Sequence, residues 1–140
     1  MLILDTDHLS ILDRDTIEVF NLGRRLASVP LTEVAATIVT YEEQMCGWFT
    51  VIAQARTTPQ QTEAHRKLRR FINQFGRINL IDYDAEAASE FERLRQTKIR
   101  VGTKELRIAA ICLANDATLL TRNSQDFGRV PGLKFEDWSV

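Results

Sequence analysis

The chain has 140 residues, 44% of them hydrophobic and 26% charged, with a formal net charge of −1. That length and balance suit one ordinary core, so residues 1–140 are read as a single domain, and the near-neutral charge excludes a uniformly basic nucleic-acid binder. Two cysteines, Cys46 and Cys112, form no CxxC and no His/Cys cluster, which argues against a disulfide framework or zinc.

The first apolar run is cut at Asp5, too short for a secretion signal or a membrane span. No membrane partner and a cytoplasmic location are therefore expected. Leu2, Ile3 and Leu4 read as a short buried strand ending in Asp5-Thr6-Asp7. Asp15 to Glu18 predicts an Asp-capped helix start, leading toward Ala27. Residues 34–39, rich in β-branched side chains, predict a second strand. Thr40-Tyr41-Glu42-Glu43 then opens a helix whose apolar face is Tyr41, Met45, Trp48, Ile52 and Ala55. Thr58-Pro59-Gln60-Gln61 predicts a Thr-capped start with Pro in the first turn, and Ala64, Leu68, Phe71 and Phe75 share one face of that helix.

A third strand is predicted over 78–81, followed by an Asp84-capped helix with Ala88, Phe91 and Leu94 inward. Residues 104–114 form a helix that is apolar nearly all round, which implies burial on most sides. After the Asn115-Asp116 turn come a strand over 118–121 and a last short strand near 134–136. Strands and helices alternate, so the expected fold class is α/β, with a mostly parallel sheet and helices on both faces.

In such sheets ligands gather at the carboxyl ends of the strands. Asp5 follows the first strand, Glu43 lies in the first turn after the second, Glu105 opens the buried helix, and Asn123 and Asp126 follow the fourth strand. Four carboxylates brought together repel unless a cation neutralises them. A donor set of hard oxygens, with no His or Cys, suits Mg2+ or Mn2+. Each residue also has a structural reading: Glu43 with Thr40 forms a capping box, Glu105 complements the helix dipole, and Asn123 and Asp126 are ordinary turn residues. Asp5 is hardest to dismiss, because a carboxylate ending a buried strand needs a partner or an ion.

These residues carry a resemblance. Leu2-Ile3-Leu4-Asp5-Thr6-Asp7 resembles the first motif of the PIN-domain ribonucleases, and Thr40-Tyr41-Glu42-Glu43-Gln44-Met45-Cys46-Gly47 the second, in a register that selects Glu43 over Glu42. Gly102-Thr103-Lys104-Glu105-Leu106-Arg107-Ile108-Ala109-Ala110 is similar to the third. The stretch from Thr118 through Thr121, Asn123 and Asp126 to Trp138 is similar to the C-terminal signature. Two positions depart from the usual pattern: Glu105 stands where Asp is common, and Asn123 where many members have Asp. The resemblance implies a three-layer α/β/α sandwich and a divalent-metal endoribonuclease. It is closest to the toxin half of VapBC-type toxin–antitoxin pairs, which implies an RNA substrate, a small cognate antitoxin and a homodimer. Asp5, Glu43, Glu105 and Asp126 would be the catalytic, metal-holding acids. Thr6, Thr121 and Asn123 would orient them or the phosphate, and Arg107 and Arg122, beside the motifs, would contact RNA phosphates.

Arg66, Lys67, Arg69 and Arg70 are read as a solvated helix face, and His8 as a local hydrogen-bonder. Two alternatives remain at this point. One is a catalytically weakened relative that binds RNA or protein. The other is a haloacid-dehalogenase-like phosphatase, suggested by Asp5-Thr6-Asp7 but lacking the later acidic pair.

Overall fold

The computed structural model describes residues 1–12 and 16–140. The described residues form five strands: β1 (Leu2–Leu4), β2 (Val34–Thr37), β3 (Asn79–Ile81), β4 (Thr118–Leu120) and β5 (Lys134–Glu136). All pair in parallel, in the order β3-β2-β1-β4-β5. Parallel strands need crossovers, and these supply the helices: α1 (Thr6–Ile11), α2 (Ile17–Leu26), α3 (Ile38–Gln54), α4 (Thr58–Phe75), α5 (Ala85–Gln96), α6 (Thr103–Ala114) and α7 (Ser124–Phe127).

Because side chains alternate along a strand, the sheet buries two separate cores. Ile3, Ala35 and Leu119 face one way, onto Ala87 and Leu94 of α5 and Ile108 and Ile111 of α6. Leu4, Ala36 and Leu120 face the other, onto Leu9, Leu22, Phe71 and Phe75. The expected three-layer sandwich is what forms, and its sheet is wholly rather than mostly parallel. On the second face Tyr41, Phe71 and Phe75 stack with centroids 4.7–5.8 Å apart. Truncating a buried Phe such as Phe71 typically costs about 3–5 kcal/mol.

Several boundaries differ from those read in the sequence. The second strand ends at Thr37, not at residue 39, because the Thr37 side chain accepts the Thr40 N–H and starts α3 three residues early. Burial of Val39 and Thr40 overrides the β-propensity of that run. The expected capping box of Thr40 and Glu43 therefore does not form: Thr40 is inside the helix and Glu43 lies in its second turn. Likewise α4 is capped by Thr57 with Gln60 closing the box, one residue before the expected Thr58 and Gln61. The short helix α1, capped by the Asp5 side chain, had no apolar period long enough to predict it. Asp15 lies outside the described residues; α2 begins at Ile17 after an extended Thr16. The Asp84 cap is present as expected.

The tertiary structure also separates the cysteines. Cys112 is buried in α6, where burial and the Asp5 charge push its thiol up to about 12, whereas Cys46 is exposed on α3. Among the described residues no helix is long and apolar enough to cross a membrane.

Candidate active site

The strand order reverses between β1 and β4: the chain works outward from β1 to β3, then crosses back to β4 and β5. At such a reversal the flanking connections diverge and leave a crevice at the carboxyl ends of the central strands. Asp5 leaves β1 there, and its N–H donates to the Leu120 carbonyl of β4 at 3.1 Å. Thr121 leaves β4 beside it, fully buried.

Asp5 is 5% exposed and caps α1, with Oδ1 accepting the His8 N–H at 2.9 Å. Oδ2 takes no hydrogen bond among the described residues. Glu43 is half-buried on α3 and Glu105 half-buried in the first turn of α6. Burial pushes the Glu43 carboxyl above the ordinary carboxylate range; Lys104 opposes the shift, and the charges of Glu105, Asp5 and Glu42 add to it. The charges of Asp5 and Glu105, from two other elements, thus reach Glu43, and Lys104 is the cation that opposes them there. Lys104 was named in the sequence only as part of the third motif, with no role of its own.

The Glu105 side chain bends back over the helix start, so that a Cβ at Gly102 would overlap its carboxylate. Among the described residues no three His, Cys, Asp or Glu side chains stand close enough together to enclose a metal ion. The donor set still fits a hard divalent cation in kind, since it is all carboxylate oxygen and the Glu43 carboxyl is raised by burial and by the charges of its acidic neighbours.

The remaining candidates take other places. Asp126 is not among the charges that act on Glu43. It accepts from the Asn123 side-chain amide at 3.0 Å and lies 3.9 Å from Arg129, while Asn123 caps α7 by accepting the Asp126 N–H. Thr121 Oγ1 accepts the Asn123 N–H at 2.9 Å and so shapes the turn out of β4. Thr6 is the first residue of α1. Arg122 is exposed and acts on the Asp137 carboxylate; burial works against that group's ionisation, but hydrogen bonds from Ser139 and the charge of Arg122 hold it below the usual range. Arg107 is half-buried, with its guanidinium over the rings of Tyr83 and Phe91 at 5.9 and 5.7 Å. Arg66 forms a two-pronged pair with Glu63 on an exposed face, consistent with solvation there. Asp7 is exposed on α1, one turn position away from a carboxylate committed to capping, which gives a phosphatase-type Asp pair no shared pocket.

Comparison with solved structures decides the fold. A chain of the VapBC2 complex of Rickettsia felis, bound to promoter DNA, superposes with a TM-score of 0.73 at 24% identity, covering 98% of both chains. A chain of VapBC-1 from nontypeable Haemophilus influenzae matches with a TM-score of 0.74 at 20% identity, covering 99% of this chain and 98% of that one. The fold is the PIN fold.

No family model matches the chain. Curated relatives include the Ribonuclease VapC2 of Rickettsia felis, 35% identical over 66 residues, which are 44% of this chain and 49% of that protein. The tRNA(fMet)-specific endonuclease VapC of Shigella flexneri is 37% identical over 67 residues, 45% of this chain and 51% of that protein. The chain thus matches about half the length of these relatives, which carry the same name as the resemblance read from the motifs. Within the PIN fold the acidic residues singled out in the sequence divide: the charges of Asp5 and Glu105 act on Glu43, and Asp126 sits with Asn123 and Arg129. His8, read in the sequence as a local hydrogen-bonder, is fully buried beside Asp5. Its signal in the sequence was its place three residues after a capping Asp.

Proposed function

We propose that the protein is a metal-dependent endoribonuclease acting as the toxin of a toxin–antitoxin pair. What supports this is the place of Asp5 at the reversal point of the sheet and the Glu43 carboxyl, raised by burial and by the charges of Glu105 and Asp5. The VapC ribonucleases among its relatives and the VapBC complexes of the same fold support it.

Asp5, Glu43 and Glu105 would hold Mg2+ or Mn2+, with Asp126 and Asn123 supporting it directly or through water. Such an ion polarises a phosphodiester and lowers the pKa of a bound water. The chain itself does the positioning. The start of α1 clamps Asp5, Thr121 sets the turn to Asn123, and Arg107 and Arg122 offer guanidinium groups to RNA phosphates, which fix register rather than sequence. A small antitoxin segment bearing Arg or Lys would neutralise the acidic crevice, since a guanidinium pairs with carboxylates bidentately. A homodimer in the cytoplasm is the proposed working form.

Asp5→Asn tests the proposal, because it removes a ligand charge at nearly constant volume. Cleavage of mixed RNA should fall about a hundredfold or more, comparable to misplacing a reacting group by about 1 Å. Parental activity in this variant refutes the site. A second reading, a PIN-fold binding protein without catalysis, draws on the Glu105 carboxylate resting at Gly102. Antitoxin binding by the parent with no cleavage at any Mg2+ or Mn2+ concentration would establish it instead.

A further inference from the structure

His8 has no exposed surface and lies between two carboxylates, with Nδ1 3.5 Å from Asp5 Oδ1 and Nε2 3.6 Å from Asp137 Oδ1. The Trp138 backbone N–H also points at Nε2, at 3.2 Å. A backbone N–H can only donate, so Nε2 must accept, and a neutral imidazole then carries its proton on Nδ1. Nδ1 is the only buried side-chain polar atom among the described residues that lacks a hydrogen-bond partner. The carboxylate oxygen beside it is Asp5 Oδ1, 3.5 Å away. A buried donor left unpaired is costly, so closing the last few tenths of an ångström to Asp5 is favoured.

The segment that selects this tautomer is itself fastened. Arg25 donates to the Asp137 carbonyl at 3.3 Å and lies over the Trp138 ring at 4.4 Å, and Asn21 donates to the Ser139 carbonyl at 3.1 Å. The Asp137 carboxylate accepts both the N–H and the hydroxyl of Ser139, which fixes the bend. Residues 137–139 therefore run as a strap from α2 to the His8 ring.

We infer that His8 is a positioning residue: the C-terminal strap holds its Nε2, and its Nδ1–H orients the Asp5 carboxylate for the ion. This rests on the metal site proposed above, but its first test does not. On metal-free protein, 15N spectra of the two histidine side chains, His8 and His65, should show His8 protonated on Nδ1. A proton on Nε2 overturns the inference.

The second test is Mn2+ titration by calorimetry without RNA. His8→Asn places an amide near the Nδ1 position and keeps a donor for Asp5. His8→Gln reaches the Nε2 position and keeps an acceptor for Trp138, but loses that donor. Outer partners of metal ligands are typically worth about 10–100-fold in affinity. His8→Gln should therefore bind Mn2+ about tenfold or more weakly, with His8→Asn close to the parent and both folded by circular dichroism. Equal affinity in the two variants means the ring only fills space, which overturns the inference. A parent that binds no Mn2+ removes the metal site, while the tautomer still decides the position of the His8 proton.

Discussion

Gly102 leaves open the space that the Glu105 carboxylate occupies, and this makes Gly102→Ala an informative perturbation. A Cβ there would overlap Oε2 and stand 3.2 Å from Cδ, meeting only the far end of a flexible side chain. The backbone, at φ −58° and ψ 153°, is one that any residue adopts. Alanine restricts the unfolded chain, a gain of about 0.4–1 kcal/mol. Displacing Glu105 from the helix start forfeits a dipole interaction of about 0.3–1 kcal/mol. These offset, so Tm in EDTA should stay within about 3 °C of the parent. The site should respond more. If the bent-back state competes with metal binding, removing its ~0.3–1 kcal/mol advantage raises Mn2+ affinity about two- to fivefold. Glu105→Asp, too short to bend back in the same way, should keep or raise affinity, and Glu105→Gln should lose it. Thermal melts in EDTA and Mn2+ calorimetry measure both quantities. A fall in Tm beyond about 6 °C would mean that the added methyl meets something stiffer than a side chain. Weaker Mn2+ binding in an intact Gly102→Ala fold would show that Glu105 at Gly102 is not the state that opposes the ion.

Glu43→Gln should stabilise the metal-free protein in a pH-dependent way. The Glu43 carboxyl is raised in the fold, so its contribution is fully present below the unfolded value near 4.5 and is lost as pH rises through the folded one. The variant should melt above the parent at pH 7, with the difference vanishing toward pH 4; a constant difference would assign the effect to packing. Thr37→Ala removes the cap that starts α3 and leaves the buried Thr40 hydroxyl without its 3.2 Å partner. The cost should be about 1–2 kcal/mol, seen as a loss of roughly 3–6 °C in Tm, and an unchanged melt would show that the helix starts without this cap.

The sequence by itself determined the fold class and offered the candidate acids. Alternating apolar strands and amphipathic helices leave few ways to bury every face, and a parallel sheet covered on both sides is the one that suits them. Asp5 was legible because a carboxylate that ends an apolar run must find a partner, and Glu105 because it opens a helix with almost no other polar group. Local start signals were read to within a residue where the cap was polar and exposed, as at Asp84 and Thr57. They were misread at Thr37, where a buried threonine caps a helix that opens with two β-branched residues. Strand order was beyond the sequence, because it depends on which hydrophobic faces meet across tens of residues. That order sets the ends of β1 and β4 side by side, with the Asp5 N–H on the Leu120 carbonyl, while Asp126 pairs with Asn123 and Arg129. The tertiary structure alone also decided His8. Eight residues into the chain it reads as a local hydrogen-bonder, and only the return of residues 137–139 encloses it between two carboxylates. Local chemistry is written in neighbouring residues; a site assembled from distant ones is settled by packing.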